Sequence, residues 1–378
     1  MNTRKEYIKT VRRRYCRTKS RRKKTALIDE VVRNSGLKRK SVIRALNRKE
    51  SRYRKKKSGR KEEYTFDLIA PLEKIWKICN RTCSKNLAPE VPKLTETLEK
   101  QGELELTEYQ RSMLMTITPY GVDKLLKFRR LKYRGKGLGG TKLSPHLKQL
   151  IPIRTSFGDD TKPGDLEIDC VLHCGTTVSG IYAETLNMLD IRTHWNERIV
   201  IMRKTRGKII GAFHIARQKF PFPIKSIDFD NGFEFVNYAL VGYCKRHDIK
   251  YTRSRSYHKN DQAHIEGKND HGVRKVFGYK RIEDERIVLL MNDIYFNELR
   301  LLTNFFYPTR KLIKKKRIGG KVRKKYDTAR TPYQRVLDRK DVDIKVKMKL
   351  MQEYKKLNPA KLYRSLQRKL NKFSKMVR

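Results

Sequence analysis

Acid is what this sequence lacks most. Its 378 residues include 40 Asp and Glu against 92 Lys and Arg, a formal net charge of +52. A folded chain so unbalanced repels itself unless a polyanion neutralises it, so nucleic acid is the expected partner and a membrane surface the weaker alternative. Long apolar runs are missing as well. No stretch approaches eighteen uninterrupted apolar residues, and the basic start (MNTRKEYIKTVRRRYCRTKSRRKK) leads into no apolar segment, which predicts neither a membrane span nor a signal peptide. Cysteine is sparse. The six (Cys16, Cys79, Cys83, Cys170, Cys174, Cys244) are scattered, a pattern of reduced thiols that predicts a cytoplasmic, nucleoid-associated protein. With no histidine before His146, Cys79 and Cys83 read as small residues on a helix face rather than as half of a zinc site. The hydrophobic fraction of 38% is low but sufficient for at least one core, and the length predicts several domains.

Residues 25–48 (TALIDEVVRNSGLKRKSVIRALNR) carry one apolar stripe at Leu27, Ile28, Val31 and Val32, and a second at Val42, Ile43 and Leu46, around the turn Asn34-Ser35-Gly36. Two short amphipathic helices about a Gly-containing turn predict a helix-turn-helix domain over 1–50, its second helix presenting Lys38, Arg39, Lys40, Arg44 and Arg48 to a major groove. After a basic linker from Lys49 to Glu63, helical periodicity resumes and predicts a second helical, DNA-binding domain over 64–130. Thr107 to Gln110 has capping-box spacing, and Thr118-Pro119 opens another helix. Four glycines (Gly135, Gly137, Gly139, Gly140) and Pro145 mark a linker over 131–160.

From Gly164 the character changes to apolar, β-rich runs. The segments DLEIDCVLHC, GIYAETLNML and RIVIM, then KSIDF and KYTRS between helical stretches, predict an α/β core over 161–300 with a mixed sheet in the order β-β-β-α-β-α-β-α. Beyond it, 301–378 is a basic region interleaved with Phe305, Phe306, Tyr307 and Tyr326, then a helical tail opened by Thr331-Pro332. Trp195 and Tyr182 read as core packing.

Three acids stand out by position: Asp169 inside the first strand, Asp230 at the end of the fourth, and Glu266 on the last helix. A carboxylate among Leu166, Ile168, Val171 and Leu172 must be hydrogen-bonded or neutralised by a cation. Asp230 directly precedes the turn Asn231-Gly232, at a strand end where ligand sites form. Asp228 is the rival, since residues two apart on a strand share a face; its alternative reading is a surface carboxylate or one that supports a ligand without being one. Around the third acid, Arg253, Arg255, Lys259, Lys268, Asn269 and Arg274 are candidates for holding DNA phosphates, with plain solvated charges as the alternative. His264 and His271 fit an oxygen-rich site poorly.

These segments resemble the DDE integrase and transposase superfamily, the retroviral-integrase-like core of bacterial insertion-sequence transposases. EIDCVLHC is similar to the stretch bearing the first aspartate, SIDFDNGFEF to that bearing the second, and KNDQAHIEGKN to the glutamate helix, with TRSRSY and NELRLLTNFFYP also similar. The resemblance covers about residues 160–300. It implies an RNase H-like fold, Asp169, Asp230 and Glu266 as catalytic metal ligands, two Mg²⁺ or Mn²⁺ ions per site, and cutting and joining of DNA at transposon ends. Hard oxygen donors select such ions, and a pair of them suits in-line phosphoryl displacement. The histidine-bearing zinc module that opens retroviral integrases is missing, so helix-turn-helix units are expected to recognise the ends. The expected partners are double-stranded DNA, as transposon ends and as target, and further copies of the chain, with no membrane. An RNase H-like nuclease that cleaves without joining, and a DNA-binding regulator derived from a transposase, are the alternatives.

Overall fold

The computed structural model describes residues 2–48, 64–131, 162–203, 205–229, 238–253, 263–318 and 321–377. They form two compact units, Met1–Glu63 and Tyr64–Arg378.

The first unit has three helices, α1 (Asn2–Arg17), α2 (Arg21–Ser35) and α3 (Arg39–Asn47). The Ser20 hydroxyl caps α2 by accepting from the Lys23 N–H, and Gly36, at φ 68°, ends it in the left-handed conformation that glycine adopts without strain. Leu27, Ile28 and Val31 of α2 meet Val42 and Leu46 of α3, as their spacing predicts. The sequence reading does not anticipate α1. Among its described side chains only Val11 and Tyr15 are buried in this core, and the arginines around them mask so thin a stripe.

The second unit opens with α4 (Ile69–Ile78), α5 (Ser84–Leu87), α6 (Val91–Lys100), α7 (Glu108–Met115) and α8 (Pro119–Leu131). Thr107 and Gln110 form the capping box of α7, and Thr118 Oγ1 accepts from the Gly121 N–H at the start of α8. Next come β1 (Asp165–His173), β2 (Ala183–Asp190), β3 (Asn196–Met202), α9 (Arg206–Arg217), β4 (Ser226–Phe229), α10 (Tyr238–Arg246), β5 (Lys250–Arg253) and α11 (Ala263–Asn269). That is the expected order. The sheet runs β3-β2-β1-β4-β5. Its first three strands pair antiparallel through short connections, whereas β4 and β5 join parallel after the crossovers through α9 and α10. Every residue of β2 and β3 is buried, so the sheet is covered on both faces there.

Past α11 the chain widens into a π turn (Asp270–Arg274), tightens into α12 (Lys275–Phe277), and continues as α13 (Glu285–Ile294) with two further π stretches, Tyr295–Leu299 and Leu302–Phe306. A two-stranded antiparallel hairpin follows, β6 (Leu312–Ile318) and β7 (Lys321–Tyr326), with all of β6 exposed. Last come α14 (Pro332–Leu337), capped by the Thr331–Gln334 box, α15 (Ile344–Lys356) and α16 (Pro359–Met376).

The sequence divides residues 64–130, 161–300 and 301–378 into separate domains, but in the structure they share one core that runs from Tyr64 to Phe373. The linker expected over 131–160 lies, apart from Leu131, outside the described residues. Cys79 Sγ lies 3.6 Å from the Phe306 carbonyl, the Phe277 and Phe373 rings meet edge to face at 4.9 Å, and Lys369 reaches both Asp293 and Glu298.

Candidate active site on the central strand

Asp169 lies half-buried on β1, the central strand. Alternation puts Glu167, Asp169, Val171 and His173 on one face. Across the antiparallel side Asp169 pairs with Asn187, and on the parallel side Glu167 pairs with Asp228 and Ile168 with Phe229, the residue before Asp230. Glu167 is fully buried and Asp228 is 1% exposed. The surface reading of Asp228 is therefore corrected: β4, paired parallel with β1 on one side and β5 on the other, encloses it, and its Oδ1 accepts from Thr252 Oγ1 at 2.6 Å.

Two hydrogen bonds fasten α11 to β1, one on each side of Glu266. The Ile265 N–H donates to Glu167 Oε2 at 3.0 Å, and the Asn269 amide donates to Asp169 Oδ2. The network continues through amides. Asn187 Nδ2 donates to Asn269 Oδ1 at 2.6 Å, Asn196 Nδ2 to Asn187 Oδ1 at 2.7 Å, and the Asn196 N–H to Asn304 Oδ1 at 2.9 Å. Asn187, Asn196 and Asn304 are at most 1% exposed. A buried amide left without partners costs about 1–3 kcal/mol, so a linked chain of them specifies one arrangement of strand and helix.

The sequence reading gave Asn269 to DNA phosphate; its amide is instead taken up by Asp169 and Asn187, because the residue three on from Glu266 lies on a neighbouring part of the helix face. Glu167 and Asn187 were missed. The sequence signal was present as acids at both 167 and 169 in DLEID, two positions on one face of an otherwise apolar strand.

The other predicted residues are placed as follows. Glu266 sits on α11, and Asp230, Arg255 and Lys259 lie outside the described residues. Arg253 ends β5. Lys268 is half-buried, and burial, with Arg198 and Arg335 nearby, lowers its ammonium to about 7. Arg274 stacks over the Tyr279 ring at 5.0 Å. In the other unit Lys38, Arg39, Lys40, Arg44 and Arg48 are all exposed, Arg39 pairing with Asp29. Trp195 is wholly buried, its Nε1 donating to Glu197 Oε1 at 2.8 Å.

The donor chemistry suits a hard divalent cation. Asp169 Oδ1 accepts from the Cys170 N–H at 2.8 Å and Oδ2 from Asn269, and anionic carboxylate oxygens are the donors such a cation selects. Among the described residues no three His, Cys, Asp or Glu side chains gather as a metal cluster, and no helix is long and apolar enough to cross a membrane.

No family model matches the chain. Among solved structures, the catalytic core domain of BIV integrase aligns with 46% of this chain and 93% of its own, at 15% identity and a TM-score of 0.28. The catalytic core of HTLV-2 integrase, solved with magnesium in a dimeric form, aligns with 39% of this chain and 90% of its own, at 15% identity and a TM-score of 0.29. Scores this low do not establish a shared fold. The uncharacterized protein y4rM of Sinorhizobium fredii is 36% identical over 330 residues, which span 86% of this chain and 93% of that protein. At that identity and coverage, this chain belongs to the y4rM family.

Proposed function

We propose that the chain is a DDE-type transposase of an insertion sequence, with an RNase H-like core that cleaves DNA at the element's ends and joins them to a target. The observation that carries this reading is the pair of hydrogen bonds from α11 to β1, one from the Ile265 backbone and one from the Asn269 side chain, which hold the helix on either side of Glu266 against the strand bearing Asp169. Asp230 follows the strand paired with β1 on its other side. Asp169, Asp230 and Glu266 would hold two Mg²⁺ or Mn²⁺ ions. When bound, these supply Lewis-acid activation of the attacking oxygen and stabilise the leaving one.

The chain's own residues do the positioning. Asn269 holds one oxygen of Asp169 and so fixes the plane of its carboxylate, and Asn187 fixes Asn269 in turn. Glu167 holds the helix at Ile265. The exposed cations of α3 fit end recognition in a major groove, and the charge of +52 fits a long DNA footprint. Two ends must meet for joining, which requires more than one copy.

The test is a strand-transfer assay with purified protein, Mg²⁺ or Mn²⁺ and a duplex carrying the native element end, run beside Asp169→Asn, Asp230→Asn and Glu266→Gln. Joined products that disappear in all three variants are expected. Cleavage without joining would replace the proposal with a nuclease, and tight binding without either activity would replace it with a regulator.

A further inference from the structure

The row of paired residues through Asp169 and Asn187 continues on β3 to Arg198, so these three share one face of the sheet. The α11 helix and its π turn cross that face: Ile265 meets β1, Asn269 meets β1 and β2, and Gly272 lies flat against the Arg198 guanidinium. A cavity of about 530 Å³ opens at the β3 end of this row. Lys268 and Gly272 form one wall, and the β6–β7 hairpin another.

The cavity's charge has one sign. Arg198, Lys268, Arg310, Lys315 and Lys324 line it, and among the described residues no Asp or Glu does. Arg198 is 4% exposed, its Nη1 lies 3.5 Å from Thr303 Oγ1, and its Nε has no hydrogen-bond partner among the described residues. A buried charge left without a counter-charge is strongly destabilising, so a guanidinium this deep and under-partnered calls for an anion from outside the chain. On the hairpin, Lys315 faces Lys324, Lys314 faces Lys325, and Lys316 faces Arg323. Like charges directly opposite across a ladder destabilise it; the Lys315–Lys324 pair lines the cavity and the pairs on either side of it fall on the other face, so the hairpin is cationic on both faces. Tyr326 adds an aromatic surface beneath Arg310, at 5.1 Å.

We propose that this cavity is a phosphate-binding pocket for a nucleic-acid strand, with Arg198 and Lys268 as its deep ligands and the β6–β7 hairpin carrying the adjoining phosphates. A single isolated anion would account for Arg198 alone; the opposed lysines along the hairpin require a chain of them. Phosphate contact by charged groups is the dominant source of nucleic-acid affinity, and a volume of this size admits a nucleotide unit. The pocket stands independently of the metal chemistry proposed above, since Asp169 lies at the opposite end of the same row.

The test is fluorescence anisotropy with an end-labelled oligonucleotide across a salt series, using the full chain. Lys268→Gln and Arg198→Gln are each expected to weaken binding about tenfold and to lower the slope of log Kd against log salt by about one. The exposed pair Lys315→Gln/Lys324→Gln should do the same with a slope change of about two, and keeps the test open should Arg198→Gln fail to fold by circular dichroism. A charge-matched control on α15, Lys345→Gln/Lys349→Gln, should change binding by less than about twofold. Equal losses in the control and the pocket variants would overturn the proposal, as would pocket variants that bind like the parent. In a second arm, pyrophosphate should compete with the oligonucleotide for the parent but not for Lys268→Gln. Pyrophosphate binding that depends on Lys268, beside unchanged oligonucleotide affinity, would make the pocket one for free polyphosphate and overturn the nucleic-acid assignment. Oligonucleotide binding is read without added metal and joining with it, so loss of joining and loss of pocket binding are separate results.

Discussion

Acid should weaken the larger unit through His173. This side chain is fully buried at the end of β1, with Nε2 2.8 Å from Thr185 Oγ1 and no hydrogen-bond partner for Nδ1 among the described residues. Burial, with Arg274 nearby, lowers its pKa from 6.5 to about 3, so the fold holds the imidazole neutral. The folded state thus resists a proton that the unfolded chain accepts. Its stability contribution is complete above the unfolded value of 6.5 and is lost as pH falls from there toward 3. Relative to pH 8, the loss is about 2 kcal/mol at pH 5 and about 3 kcal/mol at pH 4. Urea unfolding followed by tryptophan fluorescence reads this unit, because Trp76 and Trp195 are both buried in it. The comparison is with His173→Gln, which cannot charge and retains a group able to meet Thr185. The stability difference between parent and variant should shift by about 2 kcal/mol between pH 8 and pH 5, in the variant's favour. A shift under about 0.5 kcal/mol would show that His173 takes up its proton in the folded state and would refute the argument.

Other side chains give sharper contrasts. Arg300→Ala should destabilise the unit by about 3–5 kcal/mol in urea unfolding, because Glu197, whose pKa burial raises, loses its 3.0 Å partner at 1% exposure. Arg364→Ala should cost less than about 1 kcal/mol although both its nitrogens reach Glu103, at 2.7 and 2.8 Å, because that arginine is half exposed; equal costs would contradict the burial argument. Asn187→Ala should cost about 2–3 kcal/mol by stranding Asn269 and Asn196, and a loss below about 0.5 kcal/mol would mean the amides repartner. Gly272→Ala should cost about 1–3 kcal/mol in the same assay, since a Cβ there would stand 2.7 Å from Arg198 Nε and closer still to Cζ and Nη2; unchanged stability would show that Arg198 yields freely.

The succession of strands along the chain was legible because each strand is a short apolar run between turn residues, and the capping boxes at Thr107 and Thr331 because side-chain chemistry three residues apart is local. What the sequence concealed was of two kinds. Elements whose burial is thin or nil left no periodicity: α1 contributes two buried residues to its core, and β6 contributes none. Side chains whose partners lie far along the chain were misassigned or missed. Asn269 meets Asp169 across a hundred residues, and Cys79 meets Phe306 across more than two hundred. Asp169 could be singled out because a carboxylate in an apolar strand is anomalous by itself. Glu167, two residues earlier, is the more deeply buried of the two, yet only the helix docked upon it shows what it does.

The single core from Tyr64 to Phe373 also bears on how the chain is made. A ribosome delivers α4 some three hundred residues before the end of α16, yet these two helices pack together, and Phe277 waits for Phe373. Helices that complete each other's walls from opposite ends of a unit cannot finish folding in the order of synthesis. Nascent α4 and the sheet therefore emerge with apolar faces uncovered, and the excess positive charge of the chain as a whole is the safeguard against self-association until α16 closes the core.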